Sequence, residues 1–516
     1  MLYLTQSLHR AAQQAPNARA TICGSRIRTW SECRDRVARL AASLSDLGVA
    51  AGDRVAVLAL NSDRYHECLY AVAWADAVVV PLNTRWNAAE LAYSLDDCQA
   101  RLLIVDDAFA DLVPEIADRA VTPLTAVFAG DGECPDGLND LESLIDSHQP
   151  VDDSGRGGSS PAGIFYTGGT TGSPKGVVLS HSNLITCALG VCATGHAMRP
   201  GGRFLHAAPM FHLADISAWI MQNVLGGSHV FVPAFTAAGV AEAIERHRVS
   251  EVLLVPTMIQ MLVDDPATAS ADLSSIRNLV YGAAPIADAV LKRAMERLPG
   301  VSFTQAYGMT ELSPATTLLS PADHDSERLR RSAGRAVPHS EVRIIDPDGV
   351  EVPRGTVGEV VARGGHVMLG YWNQPEETAL ALRDGWMHTG DAGYMDGDGY
   401  VFIVDRIKDM IVSGGENVYS TDVENAIAQH PGVAACAVIG VPDPKWGERV
   451  HAVVVLKPGR QLTTAELRDH TKSLIASYKA PRSAEFVDQL PLSPAGKILK
   501  RDLRAPYWSD SGRNVS

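Results

Sequence analysis

The sequence has no Cys-x-x-Cys pair. Its eight cysteines (Cys23, Cys33, Cys68, Cys98, Cys134, Cys187, Cys192 and Cys436) are scattered. That spacing argues against a cysteine zinc site or a disulfide framework and fits a reducing compartment. Positive charge is also short. Lysine and arginine number 45 against 60 acidic residues, a net charge of −15, which disfavours nucleic acid as a partner and favours solubility. No apolar run is long enough to span a bilayer; the best, Ala71 to Leu82, carries Asp76. The stretch Met1 to Arg10 lacks the charged-then-apolar build of a secretory signal. A cytoplasmic protein without a transmembrane segment is therefore expected. Two nucleotide signatures are missing as well. No Gly-x-Gly-x-x-Gly follows the first predicted strand, and no glycine-rich loop closes on Gly-Lys-Ser/Thr. A dinucleotide fold and a Walker-type phosphate loop are both unsupported. No internal repeat is visible.

What is present points to a multidomain globular protein. The chain has 516 residues, 46% of them apolar and 20% charged, which exceeds a single ordinary core. Its most distinctive stretch is Tyr166 to Ser180. There Thr167, Gly168, Gly169, Thr170, Thr171, Gly172, Ser173 and Pro174 lead to Lys175 and Gly176. Apolar runs flank it (Gly163 to Phe165 before, Val177 to Leu179 after), which predicts strand–loop–strand. Glycines let the backbone turn sharply and approach a ligand closely. The freed N–H groups and the hydroxyls can donate to phosphate oxygens, with Lys175 as a point charge.

Before this loop the pattern predicts helix from Leu8 to Leu47, interrupted by a short strand-like piece near Ala20 to Trp30. Strands follow at Asp53 to Leu60, Ala77 to Leu82 and Arg101 to Val105, with helices near Tyr65 to Trp74 and Ala88 to Asp97. This alternation implies parallel βαβ units. Residues 130–162, rich in Gly, Asp, Ser and Pro, read as a loop. A second α/β series runs through Arg203–Ala208, Val230–Pro233, Val252–Pro256, Leu279–Gly282 and Phe303–Tyr307. From about Gly334 to Val404 short alternating strands predict a β-rich subdomain, and a compact βα piece follows Asp405.

Several further segments carry chemistry. His206 to His212 follows a strand and contains Phe211 beside His212. Tyr281, Gly282, Ala283, Ala284 and Pro285 end another strand with residues small enough for a flat ring to lie on the backbone. Gln305, Ala306, Tyr307, Gly308, Met309, Thr310 and Glu311 end in a carboxylate, and Mg²⁺ is usually held by one or two carboxylates plus phosphate oxygens and water. Asp391, in His388-Thr-Gly-Asp391, is a carboxylate that can accept from two hydroxyls at once. Lys497 lies in a glycine-containing turn within Pro491 to Lys500.

In type and order these segments resemble the adenylate-forming (AMP-binding) superfamily, and within it the acyl-CoA synthetase or fatty-acid–CoA ligase branch. The resemblance covers essentially the whole chain. Two mild departures are Gly168, where relatives usually have Ser, and Ser420, where they usually have Pro.

The resemblance implies an α/β fold. A large N-terminal domain, 1–407, would hold parallel α/β subdomains plus a β-rich piece, and a small mobile α+β cap, 408–516, would follow. It implies ATP, Mg²⁺ and coenzyme A as cofactors. Residues 167–172 and Lys175 would hold the phosphates, and Gly282, Ala283, Ala284, Gln305, Ala306, Tyr307 and Gly308 would surround adenine. Thr310 would meet the α-phosphate, Glu311 with Thr170 would hold Mg²⁺, and His212 would lie beside the carboxylate. The helix with Asp215, Ile216 and Trp219 would form the acyl-pocket wall. Asp391 and Arg406 would bind ribose, Lys408 would be the hinge, and Lys497 would serve adenylation. Gly414, Gly415, Glu416, Trp446 and Lys479 would receive coenzyme A. Lys500 reads as a plain helix-terminal charge.

The expected reaction is carboxylate plus ATP to acyl-AMP and pyrophosphate, then acyl-AMP plus coenzyme A to acyl-CoA and AMP. A medium- or long-chain fatty acid is the expected substrate. The alternatives are a benzoate- or cinnamate-like aryl acid, coenzyme-A-independent loading of a carrier protein, a luciferase-like oxygenase, or a regulator that binds ATP without turnover. A homodimer is implied only at family level.

Overall fold

The computed structural model describes residues 2–167, 174–414, 416–492 and 498–508. Two compact units divide the chain. The first comprises most of the chain up to Val342 together with Ala362–Met387, and the second comprises Arg343–Val361 and the chain from His388 onward.

Among the described residues the strands form four sheets. In an eight-stranded sheet, Leu102–Val105, Arg54–Leu58, Val78–Pro81 and Pro161–Thr167 run parallel side by side. The period of two is legible in the packing. Along Arg54–Leu58, Val55 and Val57 enter one apolar cluster while Ala56 and Leu58 enter another. Both faces are covered, as parallel sheets require.

A nine-stranded sheet holds six parallel strands in the order Ser302–Tyr307, Asn278–Gly282, Glu251–Leu254, Arg203–His206, Ser228–Phe231 and Arg19–Cys23. The sequence expectation for these α/β series holds strand by strand. One cluster takes side chains from both sheets and from the helices Asp63–Trp74 and Leu213–Val224, with Tyr70 and Trp219 among its fully buried members. The carboxylates of Asp63 and Glu67, also fully buried, are paired with Arg26 at 2.8 Å and Arg36 at 2.8 Å. Pairing is what makes such burial tolerable.

The parallel strands matter because ligands in open α/β sheets bind beyond their carboxyl ends. Thr167, Gly282 and Tyr307 each stand at such an end, and the segment to His212 leaves another. The stretch expected as loop, 130–162, differs. It holds a short strand, Asn139–Asp140, and a helix, Leu141–Ser147, started by the Asp140 side chain accepting from the Ser143 N–H at 2.9 Å. A capping aspartate and two buried apolar residues, Leu141 and Ile145, suffice there despite the polar composition.

The β-rich expectation is met by a five-stranded sheet of Ser340–Ile345, Gly358–Gly364, Trp386–Met395 and Leu382–Arg383, with Val401–Arg406 paired to Trp386–Met395. Farther along, Val433–Asp443 and Gly447–Leu456 form a long hairpin within another five-stranded sheet. Helices Ser420–Ala428 and Thr464–Leu474 contribute Val423, Ile427 and Leu467 to its core.

Candidate active site

Thr167 stands opposite Lys175 in an antiparallel hairpin, so the strand–loop–strand expectation holds at the loop's two ends. Gly168, Gly169, Thr170, Thr171 and Gly172 lie outside the described residues. Lys175 is ion-paired with Glu377, and its ammonium lies 5.4 Å from the centre of the Tyr371 ring. Tyr371 reaches this place because Gly370–Tyr371 pairs with Val178 and Val177 on the same hairpin. Its hydroxyl donates to Glu311 Oε1 at 2.8 Å. Burial and the Glu311 charge push the phenol's pKa up, so it remains a donor.

Glu311 sits in a single-turn helix, Thr310–Leu312, just past the strand Ser302–Tyr307, and is 6% exposed. Its carbonyl accepts from the Met368 N–H at 2.9 Å. Among the described residues no three His, Cys, Asp or Glu side chains come together to cage a metal. One rigid, buried carboxylate is a donor set that fits a Mg²⁺ carried in on phosphate oxygens.

The neighbouring strand end is crowded at its backbone. Gly282 pairs with Ala306, and a Cβ on Gly282 would stand 2.3 Å from the Ala306 carbonyl oxygen. Ala283 then takes φ +66°, a left-handed conformation unusual for a residue with a side chain. Ala284 and the run from Gln305 to Thr310 are half-buried. Gly308 is confined too: a Cβ there would meet the Pro314 oxygen at 1.9 Å.

His212 precedes helix Leu213–Val224 and packs its ring on Phe211, centroid to centroid 4.1 Å. In that helix Asp215, Ile216 and Trp219 are all buried. Sequence reasoning missed what surrounds them. Asp215 bonds His206 Nδ1 at 2.6 Å, His206 Nε2 meets His229 Nδ1 at 2.9 Å, and His229 Nε2 meets Asn223 at 3.0 Å. Trp219 donates to His66 Nδ1 at 2.8 Å. Burial pushes His66 down to about 3 and lowers His229 strongly, so both are neutral. The one local signal for this hydrogen-bonded chain was two histidines, His206 and His229, within largely apolar strands. Tyr371 and Glu377 were missed for want of any local signal.

In the second unit, the antiparallel pairing of Trp386–Met395 with Val401–Arg406 sets Asp391 opposite Arg406. Arg406 Nε lies 2.9 Å from Asp391 Oδ1, and Asp391 is 7% exposed. Lys408 follows in the turn Ile407–Asp409, where burial and the Arg406 charge push it down to about 8. Gly414, at φ +64°, lies under the Trp446 ring, 2.6 Å from where its Cβ would be, and its N–H donates to the Trp446 carbonyl at 2.8 Å. Lys445 and Arg482 flank that ring at 4.8 Å and 4.4 Å. Glu416 is exposed at the head of strand Glu416–Val418. Lys479 is paired with Asp422 at 2.8 Å. Gly415 and Lys497 lie outside the described residues. Lys500 stands at a helix terminus as expected, but it is more than a plain charge. Its side chain is 14% exposed and pairs with Glu424 at 2.7 Å.

The chain matches the AMP-binding enzyme family over residues 8–372 and that family's C-terminal domain over 422–497. It is 42% identical over 504 residues to a feruloyl-CoA synthase of Amycolatopsis, covering 96% of this chain and 98% of the relative. It is 38% identical over 520 residues to the fatty acid–[acyl-carrier-protein] ligase ScoC of Streptomyces coeruleorubidus, covering 100% and 98%. Among solved structures, the anthranilate CoA ligase AuaEII in complex with anthranoyl-AMP superposes with a TM-score of 0.91 at 28% identity, over 99% of both chains. The chain belongs to the AMP-binding enzyme family. It is an enzyme of the acyl-CoA synthetase class, which uses ATP, Mg²⁺ and coenzyme A. Among the described residues no helix is long and apolar enough to cross a membrane.

Proposed function

We propose that the protein activates an aryl-substituted acid of the feruloyl type and transfers it to coenzyme A. The observation that carries this reading is the 42% identity, end to end, with a feruloyl-CoA synthase. A medium- or long-chain fatty acid is the second reading, favoured by the 38% identical fatty-acid ligase. A cytoplasmic location belongs to the same reading and is supported by eight free cysteines.

In the first step the carboxylate oxygen bonds to the α-phosphorus of ATP and pyrophosphate leaves. Lys175 and the hydroxyls of the glycine-rich loop bind the phosphates, Thr310 meets the α-phosphate, and Lys497 steadies carboxylate and α-phosphate as charge develops. Glu311, held by Tyr371, supplies the carboxylate for Mg²⁺, which neutralises phosphate charge when bound. Adenine lies on Gly282 to Ala284 and Tyr307, and Asp391 and Arg406 take the ribose hydroxyls. In the second step the coenzyme A thiolate attacks the acyl carbonyl and AMP leaves. Gly414, Gly415 and Trp446 line that approach, with Lys479 a further contact. Residues 1–407 and 408–516 act as the two domains, and the cap turns at Lys408 between the steps.

Pyrophosphate release from ATP, measured across ferulate, cinnamate, benzoate and C8 to C16 fatty acids with and without coenzyme A, tests this. Release fastest with ferulate or cinnamate, accelerated by coenzyme A and abolished by Lys497→Ala, is the expected result. Preference for a fatty acid would select the second reading. Release indifferent to coenzyme A would point to carrier loading and overturn the proposal.

A further inference from the structure

Lys500 opens the helix Lys500–Trp508, three residues after Lys497 in the chain. Its ammonium donates to Ser420 Oγ at 2.6 Å as well as pairing with Glu424. The Ser420 hydroxyl in turn donates to Asp405 Oδ2 at 2.7 Å, and the Ser420 N–H reaches the same oxygen at 2.5 Å. The other Asp405 oxygen accepts from the Arg406 N–H at 2.8 Å. Glu424 Oε1 also takes the Val438 N–H at 2.8 Å. Asp405 is 5% exposed and Ser420 is fully buried.

Charge-assisted bonds in such surroundings are short and directional, and they fix a geometry more narrowly than apolar packing does. A proline at 420, the residue usual in relatives, would supply neither the N–H nor the hydroxyl. This chain therefore has a connection running from the strand that presents Arg406, through Ser420, to the first residue of the helix after Lys497. The Ser420 departure looked inconsequential in sequence. In the structure it makes three of the bonds, two to Asp405 and one from Lys500.

We propose that Ser420 and Lys500 are positioning residues for the first half-reaction: they tie the chain that follows Lys497 to the strand that ends in Arg406. The proposal rests on reading Lys497 as the adenylation lysine. Its consequence is asymmetric. Adenylation depends on where Lys497 is held, whereas transfer from acyl-AMP to coenzyme A does not use that lysine.

The test compares both half-reactions in Ser420→Ala and in Lys500→Met/Glu424→Gln, the double variant leaving no lone buried charge. Pyrophosphate release reports the first half, and acyl transfer to coenzyme A from preformed acyl-AMP reports the second. Lys497→Ala is the control. The expected result is a drop of about tenfold in the turnover of pyrophosphate release, with the KM for ATP and the transfer half unchanged. An equal fall in both halves, meaning a structural role only, would overturn the proposal, as would no change in either. Should the double variant fail to fold, Ser420→Ala decides alone, because it removes a single hydroxyl. A Lys497→Ala control that leaves pyrophosphate release intact would refute the reading of Lys497 itself, and this proposal with it.

Discussion

The hydroxyl of Tyr371 donates to Glu311 Oε1 across 2.8 Å while the face of the same ring lies 5.4 Å from the Lys175 ammonium. One side chain thus orients the expected magnesium ligand and accompanies the expected phosphate lysine. Tyr371→Phe keeps the ring and removes the donor. Calorimetric ATP binding in the presence of Mg²⁺ should weaken about tenfold, the worth of one hydrogen bond to a charged group. Binding with the metal chelated should not change. Equal affinities for variant and wild type with Mg²⁺ present would show that the phenol is dispensable.

Asp391, opposite Arg406 on paired strands, leads to a prediction about sugar recognition. Asp391→Ala should lower affinity for ATP by about one to two orders of magnitude, the range for hydrogen bonds to a charged acceptor. Affinity for 2′,3′-dideoxy-ATP, already lacking both hydroxyls, should be nearly the same in variant and wild type. A parallel loss for both nucleotides would remove Asp391 from the ribose.

The close approach at Gly282 is testable without any ligand. A methyl group 2.3 Å from the Ala306 oxygen forces two paired strands apart. Gly282→Ala should cost about 1–3 kcal/mol, the usual range for overpacking, and lower the thermal midpoint. A midpoint at the wild-type value would mean that the strand ends separate freely.

Glu251 offers a pH-dependent prediction. It faces Asn278 across parallel strands and accepts from its amide at 2.8 Å. Burial, only partly offset by that bond, pushes the carboxyl up to about 7. Its folded pKa is thus raised, so the folded state binds the proton more tightly than the unfolded one. The resulting penalty is absent below the ordinary carboxyl range, grows as pH rises to 7, and is complete above it. Glu251→Gln keeps the acceptor and cannot ionise. It should stabilise the protein on the order of 2–3 kcal/mol at pH 8 and leave it unchanged near pH 4.5. A gain of equal size at both pH values would show that ionisation is not its source.

Sequence legibility followed distance along the chain. The hairpin around the glycine-rich loop and the turn at Gly282 are readable because each is set by residue types within a few positions, whereas the ion pair between Asp391 and Arg406 joins two strands and was not. The Tyr371–Glu311 contact joins residues 60 apart, and Lys175 meets a glutamate 202 positions away. Nothing local announces either. The partners of Lys500 are hidden for the same reason, since Ser420, which accepts from it, lies 80 positions upstream. The helix Leu141–Ser147 was hidden by its neighbours: glycine, aspartate and proline around it set the composition, while a capping aspartate and two apolar side chains set the structure.

The strand Gly370–Tyr371 completes one edge of the eight-stranded sheet by pairing with Val177 and Val178. Before reaching it, the chain leaves the first unit and spends Arg343–Val361 in the second. Order of manufacture then matters. A ribosome must have released roughly three quarters of the polypeptide before the earlier unit can close that edge. A nascent chain halted at Val342 would already carry Glu311 and Lys175 yet lack the phenol that lies against both, so this set of contacts is completed late in translation.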